Sequence, residues 1–158
     1  MSLNNTGRGK RTGLRVPVSF DVKCELPGAQ IFMAKAVNMS TAGMFISTSE
    51  NISIEASVGL EFLLPETLNS IQVQGQSVWS CKVEEEQRQG TGIKFVNLGD
   101  PYLNMIRDYS LTKLYDDNFV KQEGILQLLD DIRNLPPEWR LKAYHILIKK
   151  GSRHLPVD

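Results

Sequence analysis

The chain has 158 residues, of which 41% are hydrophobic and 23% charged, and its 18 basic and 18 acidic side chains leave no net charge. This is the composition of an ordinary globular protein, which argues against disorder of the whole chain, and the absence of net positive charge argues against a general nucleic-acid-binding protein. No apolar run is long enough for a membrane span and no signal peptide is recognisable, so we expect a cytoplasmic protein without membrane insertion.

Residues 1–15 form a basic segment that is rich in glycine and almost without apolar side chains. Such a segment has little to pack against a core, and we expect a flexible arm. Its basic side chains include Arg8, Lys10, Arg11 and Arg15.

Residues 16–98 show the period-two alternation of half-buried strands. The longer runs extend over residues 16–26, 54–64 and 71–83, and shorter candidates lie at 31–37, 44–47 and 92–96. Short polar turns between them leave no room for helical crossovers, so the sheet should be antiparallel. The prediction is a mainly β fold, a small antiparallel six-stranded β-barrel, which would hide both edges of the sheet. The alternation places Trp79 in the core, and we expect Cys24 and Cys81 to be buried small apolar residues.

Beyond Asn97 the apolar period becomes helical. We predict a helix from Asp100 to about Tyr115, a second ended by Asn134, and a third that begins near Pro137 and stops at Gly151, leaving a short tail. The chain therefore divides into an arm (1–15), a barrel (16–98) and a C-terminal helical extension (99–158). The C-terminal helices could seal the barrel, form a homodimer with a second copy, or dock a partner protein, and the sequence leaves these alternatives open.

Two short motifs stand on either side of the first two predicted strands. Arg11 and Arg15 form R-x-x-x-R, while Asn38, Ser40 and Gly43 form N-x-S-x-x-G. The pair, ahead of a predicted barrel that ends in Gly92-Ile93-Lys94-Phe95, resembles the signature of the PilZ family of bacterial cyclic di-GMP receptors. The resemblance covers about residues 11–98.

The resemblance implies a receptor that binds cyclic di-GMP as its ligand, uses no cofactor or metal, catalyses nothing and signals to a downstream protein. It implies that Asn38 bonds a guanine edge, that Ser40 supports a polar contact, and that Gly43 permits a turn or a close approach. Arg8 and Lys10 could add phosphate contacts.

The arginines fit this ligand on chemical grounds as well. A guanidinium is a planar fork of donors that can form paired hydrogen bonds with a phosphate or with the O6/N7 edge of guanine. Cyclic di-GMP has two phosphates and two guanines. Arg11 and Arg15 therefore supply both the positive charge and the hydrogen-bond donors that recognise a guanine edge.

Three alternatives compete with this interpretation. The first keeps the fold without the ligand, as a protein-interaction scaffold in a motility or secretion system. An enzyme is disfavoured because His145 and His154 have no nucleophile or carboxylate arranged with them. A nucleic-acid-binding barrel is disfavoured because the outward-facing strand positions lack interleaved basic and aromatic residues.

Overall fold

The computed structural model of the chain describes residues 13–65, 67, 69–83 and 88–154. The six strands are β1 (Val16–Leu26), β2 (Gln30–Met39), β3 (Gly43–Ser47), β4 (Ser57–Leu63), β5 (Ser70–Val83) and β6 (Arg88–Val96). The helices are α1 (Asp100–Thr112), followed by a 3-10 turn (Lys113–Tyr115), then α2 (Asp117–Glu123), α3 (Ile125–Arg133) and α4 (Pro137–His154).

The strands pair in the order β1-β2-β3-β6-β5-β4 and close into a barrel in which every pairing is antiparallel. This confirms the predicted fold class. The alternation of the sequence explains the closure, because one parity of each strand fills the interior and the other faces water. The interior side chains are fully or almost fully buried; they include Val22, Cys24, Ala36, Ile46, Val58, Phe62, Ile71 and Ile93.

The described residues fall into two compact units. One is the barrel with the start of α1, Val16–Ile106. The other combines residues 13–15 with the helical segment from Arg107 onward. Within this helical unit, α4 packs against α3 and the 3-10 turn, and the core includes Leu114, Leu128, Ile132, Trp139 and Ala143.

The helical unit departs from the sequence prediction at two places. Helix α2 was not predicted; it begins after Asp116, whose carboxylate accepts from the backbone N–H of Asn118 (2.9 Å) and of Phe119 (3.4 Å). Helix α4 continues past Gly151 to His154, so the predicted stop at Gly151 is wrong. An interior glycine costs a helix only about 1 kcal/mol, which neighbouring packing can offset.

Three predicted environments are also wrong. Leu14 is buried at 4% exposure, so the end of the basic segment is packed. Ile54 is 50% exposed because β4 begins only at Ser57, after a turn in which Glu55 has φ 73°. Cys81 is half-buried, whereas Cys24 is fully buried as predicted.

Candidate functional site

The turn between β2 and β3 brings Ser40 and Gly43 together. The backbone N–H of Ser40 donates to the carbonyl of Gly43 (2.9 Å), and the N–H of Ala42 donates to Ser40 Oγ (3.1 Å). The Ser40 hydroxyl thus shapes the turn as an acceptor, and a hydroxyl in that position still has its own proton to donate.

Gly43 begins β3, opposite Lys94 in β6. A Cβ atom at this position would overlap the carbonyl oxygen of Ile93, which is part of the β6 backbone and cannot swing away. The barrel itself therefore requires glycine here, whatever else the position does.

Asn38 lies inside β2, whereas the strand predicted from the sequence ended at residue 37. The register of β2 against β3 shifts between Ala36 and Asn38, so Val37 is an extra residue in this ladder. Ala36 is buried, Val37 is exposed and Asn38 is half-buried. A β-bulge changes the direction of the side chains that follow it. Asn38 therefore points away from the core, although Ala34 and Ala36, which share its place in the sequence alternation, point inward.

Asn38 is the first member of a row of strand partners that crosses four strands. It is paired with Phe45 in β3, Phe45 with Gly92 in β6, and Gly92 with Trp79 in β5. We call Asn38, Phe45, Gly92 and Trp79 the outer row. Its two aromatic rings stack, with centroids 5.1 Å apart and planes inclined by 23°.

Trp79 is exposed, whereas the strand alternation predicts that it lies in the core. It is 42% exposed. The register of β5 against β6 shifts between Ser77, which is buried, and Trp79, so the alternation that the sequence suggests is broken by one residue.

Two glycines in β6 make room for the aromatic pair. A Cβ atom at Gly92 would overlap the indole of Trp79, and one at Gly90 would overlap the ring of Phe45. The rings therefore lie across the bare backbone of β6. This pair was not predicted from the sequence, although two glycines separated by a single residue in a strand signal that something approaches closely.

The R-x-x-x-R motif is described only at its second arginine. Arg15 is half-buried and directly precedes β1, two residues before Pro17, which is the strand partner of Asn38. Arg11 lies outside the described residues, as do Arg8 and Lys10. The structure thus brings together the three N-x-S-x-x-G residues and leaves the arrangement of the two arginines to be tested.

One further cation lies on this face of the barrel. Lys94 is exposed and is the strand partner of Gly43 on one side and of Gln76 on the other. Its ammonium group adds local positive charge beside the N-x-S-x-x-G turn in a chain that has no net charge.

The described part of the barrel also has a cleft apart from the predicted site residues. This cleft, of about 810 Å³, is lined by neutral polar residues such as Ser57 and Gln74, by apolar and aromatic residues such as Val96 and Tyr102, and by Glu55, and includes none of the predicted site residues. Among the described residues no group of His, Cys, Asp and Glu is placed to hold a metal ion. No helix in the described ranges has the length and hydropathy needed to cross a membrane.

Comparisons with known proteins agree with this architecture. Among solved structures, the chain resembles the Bacillus subtilis inhibitor of motility, MotI/DgrA, with a TM-score of 0.62 at 12% identity over 68% of this chain and 53% of that one. It also resembles the PilZ domain of Escherichia coli YcgR, solved with c-di-GMP, with a TM-score of 0.54 at 10% identity over 73% of this chain and 99% of that one. A third similar structure is K. pneumonia MrkH in its apo state, with a TM-score of 0.53 at 14% identity over 71% of this chain and 52% of that one.

At these identities the structural likeness shows the fold, and the chain spans about half the length of the motility inhibitor. A comparison with curated protein sequences finds no match. The family model described as the PilZ domain matches residues 9–111, well over half of the chain. PilZ domains are c-di-GMP-binding effector domains and not enzymes, in agreement with the predicted lack of catalysis. The chain belongs to the PilZ domain family.

Proposed function

We propose that this chain is a bacterial receptor that binds cyclic di-GMP on the outer face of its barrel and passes the signal to a protein partner. The observation that carries the proposal is the placement of Asn38. A bulge directs it outward, next to the turn that holds Ser40 and Gly43, and its strand partner Pro17 follows Arg15 by two residues.

The polar side chains of the two motifs have distinct roles in the proposed complex. Arg11 and Arg15 bind the phosphates and the O6/N7 edges of the guanines with paired hydrogen bonds. The amide oxygen of Asn38 accepts from guanine N–H groups, and Ser40 donates its hydroxyl proton. Arg8 and Lys10 add phosphate contacts.

The aromatic pair extends this surface. Phe45 is the direct strand partner of Asn38, and its ring stacks on the partly exposed indole of Trp79. A purine held by Asn38 therefore has an aromatic surface beside it, and stacking of a base on an aromatic ring contributes roughly 1 to 3 kcal/mol. Lys94, next to Gly43, attracts the anionic ring of the ligand.

The free thiols of the chain indicate the cellular compartment in which the receptor acts. Both Cys24 and Cys81 are free, as is usual in a reducing compartment, and we propose that the protein acts in the cytoplasm. Because the chain has no catalytic group of its own in this scheme, the output is a surface changed by the bound ligand, which a downstream protein reads.

The decisive experiment is calorimetric titration of the purified full chain with cyclic di-GMP. We expect a dissociation constant near micromolar, equivalent to about −8 kcal/mol. An Arg11→Ala, Arg15→Ala double variant should lose at least about 100-fold in affinity while keeping the circular dichroism of the wild type, because each bidentate arginine contact is worth roughly 1 to 3 kcal/mol. Arg133→Ala, at an exposed arginine of α3, is the matched control.

Cyclic di-AMP tests the base specificity, because adenine presents an N6 donor where guanine presents an O6 acceptor. It should bind far more weakly than cyclic di-GMP. Absence of heat with cyclic di-GMP, or full affinity in the double variant, would overturn the proposal. Absence of heat is the result expected from the alternative function, a non-binding interaction scaffold for motility or secretion.

A further inference from the structure

Helix α4 exposes an apolar stripe on the side opposite to its buried face. Its buried residues are Trp139, Ala143 and Ile146, which pack within the helical unit. On the other side Leu141 is 70% exposed and Ile148 is 67% exposed. Leu141 and Ile148 are seven residues apart, which is about two helical turns, so they lie on the same face of the helix. His145, exposed, and Tyr144, half-buried, lie between them.

Helix α3 also exposes apolar side chains. Leu126 is 84% exposed and Leu129 is also exposed. Together with Asp130, Arg133 and Tyr144 they line a groove of about 460 Å³ between α3 and α4. Single exposed leucines are common on protein surfaces, whereas several exposed apolar side chains on two neighbouring helices point to an interaction site.

Charges on α4 identify what fits the stripe. Glu138 and Lys149 are both exposed and are 11 residues apart, about three helical turns, so they stand on the same flank of the stripe. The midpoint between Glu138 and Lys149 falls within one residue of the midpoint between Leu141 and Ile148. Lys142 also lies on this flank, but its ammonium group is placed over the ring of the buried tryptophan of α4, 4.5 Å from the ring centroid, on the side away from the stripe. With Glu138 and Lys149 the flank is therefore self-complementary when two copies of the helix run antiparallel.

We propose that α4 pairs antiparallel with α4 of a second copy of this chain, about a two-fold axis near Tyr144. In this arrangement Leu141 of each copy packs against Ile148 of the other, and Glu138 of each copy meets Lys149 of the other. A two-fold interface uses the same patch on both subunits, so one complementary pair becomes two. Parallel pairing about a two-fold axis would instead place this flank of the two helices on opposite sides of the contact, so neither glutamate–lysine pair would form.

The groove at Leu126 and Leu129 borders the proposed contact through Tyr144. The dimer does not depend on cyclic di-GMP, because the residues that form it belong to α3 and α4. It gives each particle two copies of the barrel and hence two candidate ligand sites.

Charge reversal tests both the interface and its direction. Sedimentation equilibrium of the full chain, without nucleotide, should show a concentration-dependent dimer. Glu138→Lys and Lys149→Glu should each weaken dimerisation by about tenfold or more, since each places like charges opposite each other at two symmetric contacts. The double variant Glu138→Lys, Lys149→Glu restores both opposite-charge pairs and should recover wild-type dimerisation.

Two further variants control for folding and for general charge effects. Leu141→Glu places a charge in the apolar stripe and should give a monomer with the circular dichroism of the wild type. Lys121→Glu reverses an exposed charge on α2, outside the stripe, and should dimerise normally. Titration of monomeric Leu141→Glu with cyclic di-GMP should give wild-type affinity, so failure of the dimer and failure of ligand binding are distinguishable.

Two results would overturn the inference. One is a wild-type chain that stays monomeric at concentrations of hundreds of micromolar, which would indicate that the stripe binds a different protein. The other is a dimer that neither single reversal weakens, or that the double reversal does not restore, which would place the interface elsewhere.

Discussion

Asn38 and Trp79 lie at opposite ends of the outer row, and each follows a β-bulge in its own strand. Without these two irregularities the alternation of β2 and β5 would direct both side chains into the barrel. The two strands between them, β3 and β6, contribute the ring of Phe45 and the bare backbone of Gly92. A polar amide and an aromatic surface thereby share one outer face.

Removal of either ring of the outer row should lower the affinity for cyclic di-GMP. For Trp79→Ala and for Phe45→Ala we expect a loss of roughly 1 to 3 kcal/mol, because a stacked base is lost. Calorimetric titration measures this, with circular dichroism as the check on folding. Tyr115→Ala removes a well-exposed aromatic ring from the helical unit and should leave affinity unchanged. Wild-type affinity in both ring variants would show that the bases bind elsewhere.

Gly43→Ala should destabilise the barrel even without ligand. The new methyl group would overlap the carbonyl of Ile93, so β3 and β6 must move apart. We expect a loss of about 1 to 3 kcal/mol in the free energy of unfolding, measured by urea denaturation. At Gly99 the nearest atom to an added Cβ is 3.8 Å away, and Gly99→Ala should change stability by no more than about 0.5 kcal/mol. Equal stability of the two variants would refute the steric account of Gly43.

Cys24 should resist thiol reagents as long as the barrel is folded. Burial raises the pKa of the Cys24 thiol to about 12, so at pH 8 it is the unreactive neutral thiol. Labelling at that pH should modify Cys81, which is half-buried, and reach Cys24 only when urea unfolds the chain. Rapid modification of both thiols in the native protein would contradict this environment.

The same shift predicts a dependence of stability on alkaline pH. The neutral thiol is favoured by the folded state, so its contribution is complete below the ordinary pKa of 9.0 and is lost as the pH rises toward 12. Compared with Cys24→Ala, the wild type should lose stability more steeply above pH 9. Parallel curves for the two proteins would contradict the prediction.

Much of the fold follows from local regularities of the sequence. The alternation from Val16 to Leu26 predicts β1 at its observed bounds, and the same period predicts the barrel, because burial of one parity requires a closed or covered sheet. The helix that starts at Asp100 is likewise predicted by an acidic residue before a proline.

The errors arise where regularity is broken by long-range contacts. A bulge adds one residue to a strand, and whether it occurs depends on pairing with a strand elsewhere in the chain, so the positions of Asn38 and Trp79 could not be deduced from periodicity. The short helix α2 was missed because it buries only Phe119, which is too little for a visible period, although Asp116 is a good N-cap.

The closed hydrogen-bond ladder of the barrel also limits how another protein can recognise this domain. A sheet with a free edge can accept an added strand from a peptide, but here β1 and β4, which would otherwise be the outermost strands, are paired with each other. Where those two strands are paired, at residues 23–25 of β1 and 59–61 of β4, no strand can be added, so a binding partner there must recognise side chains on the wall of the barrel.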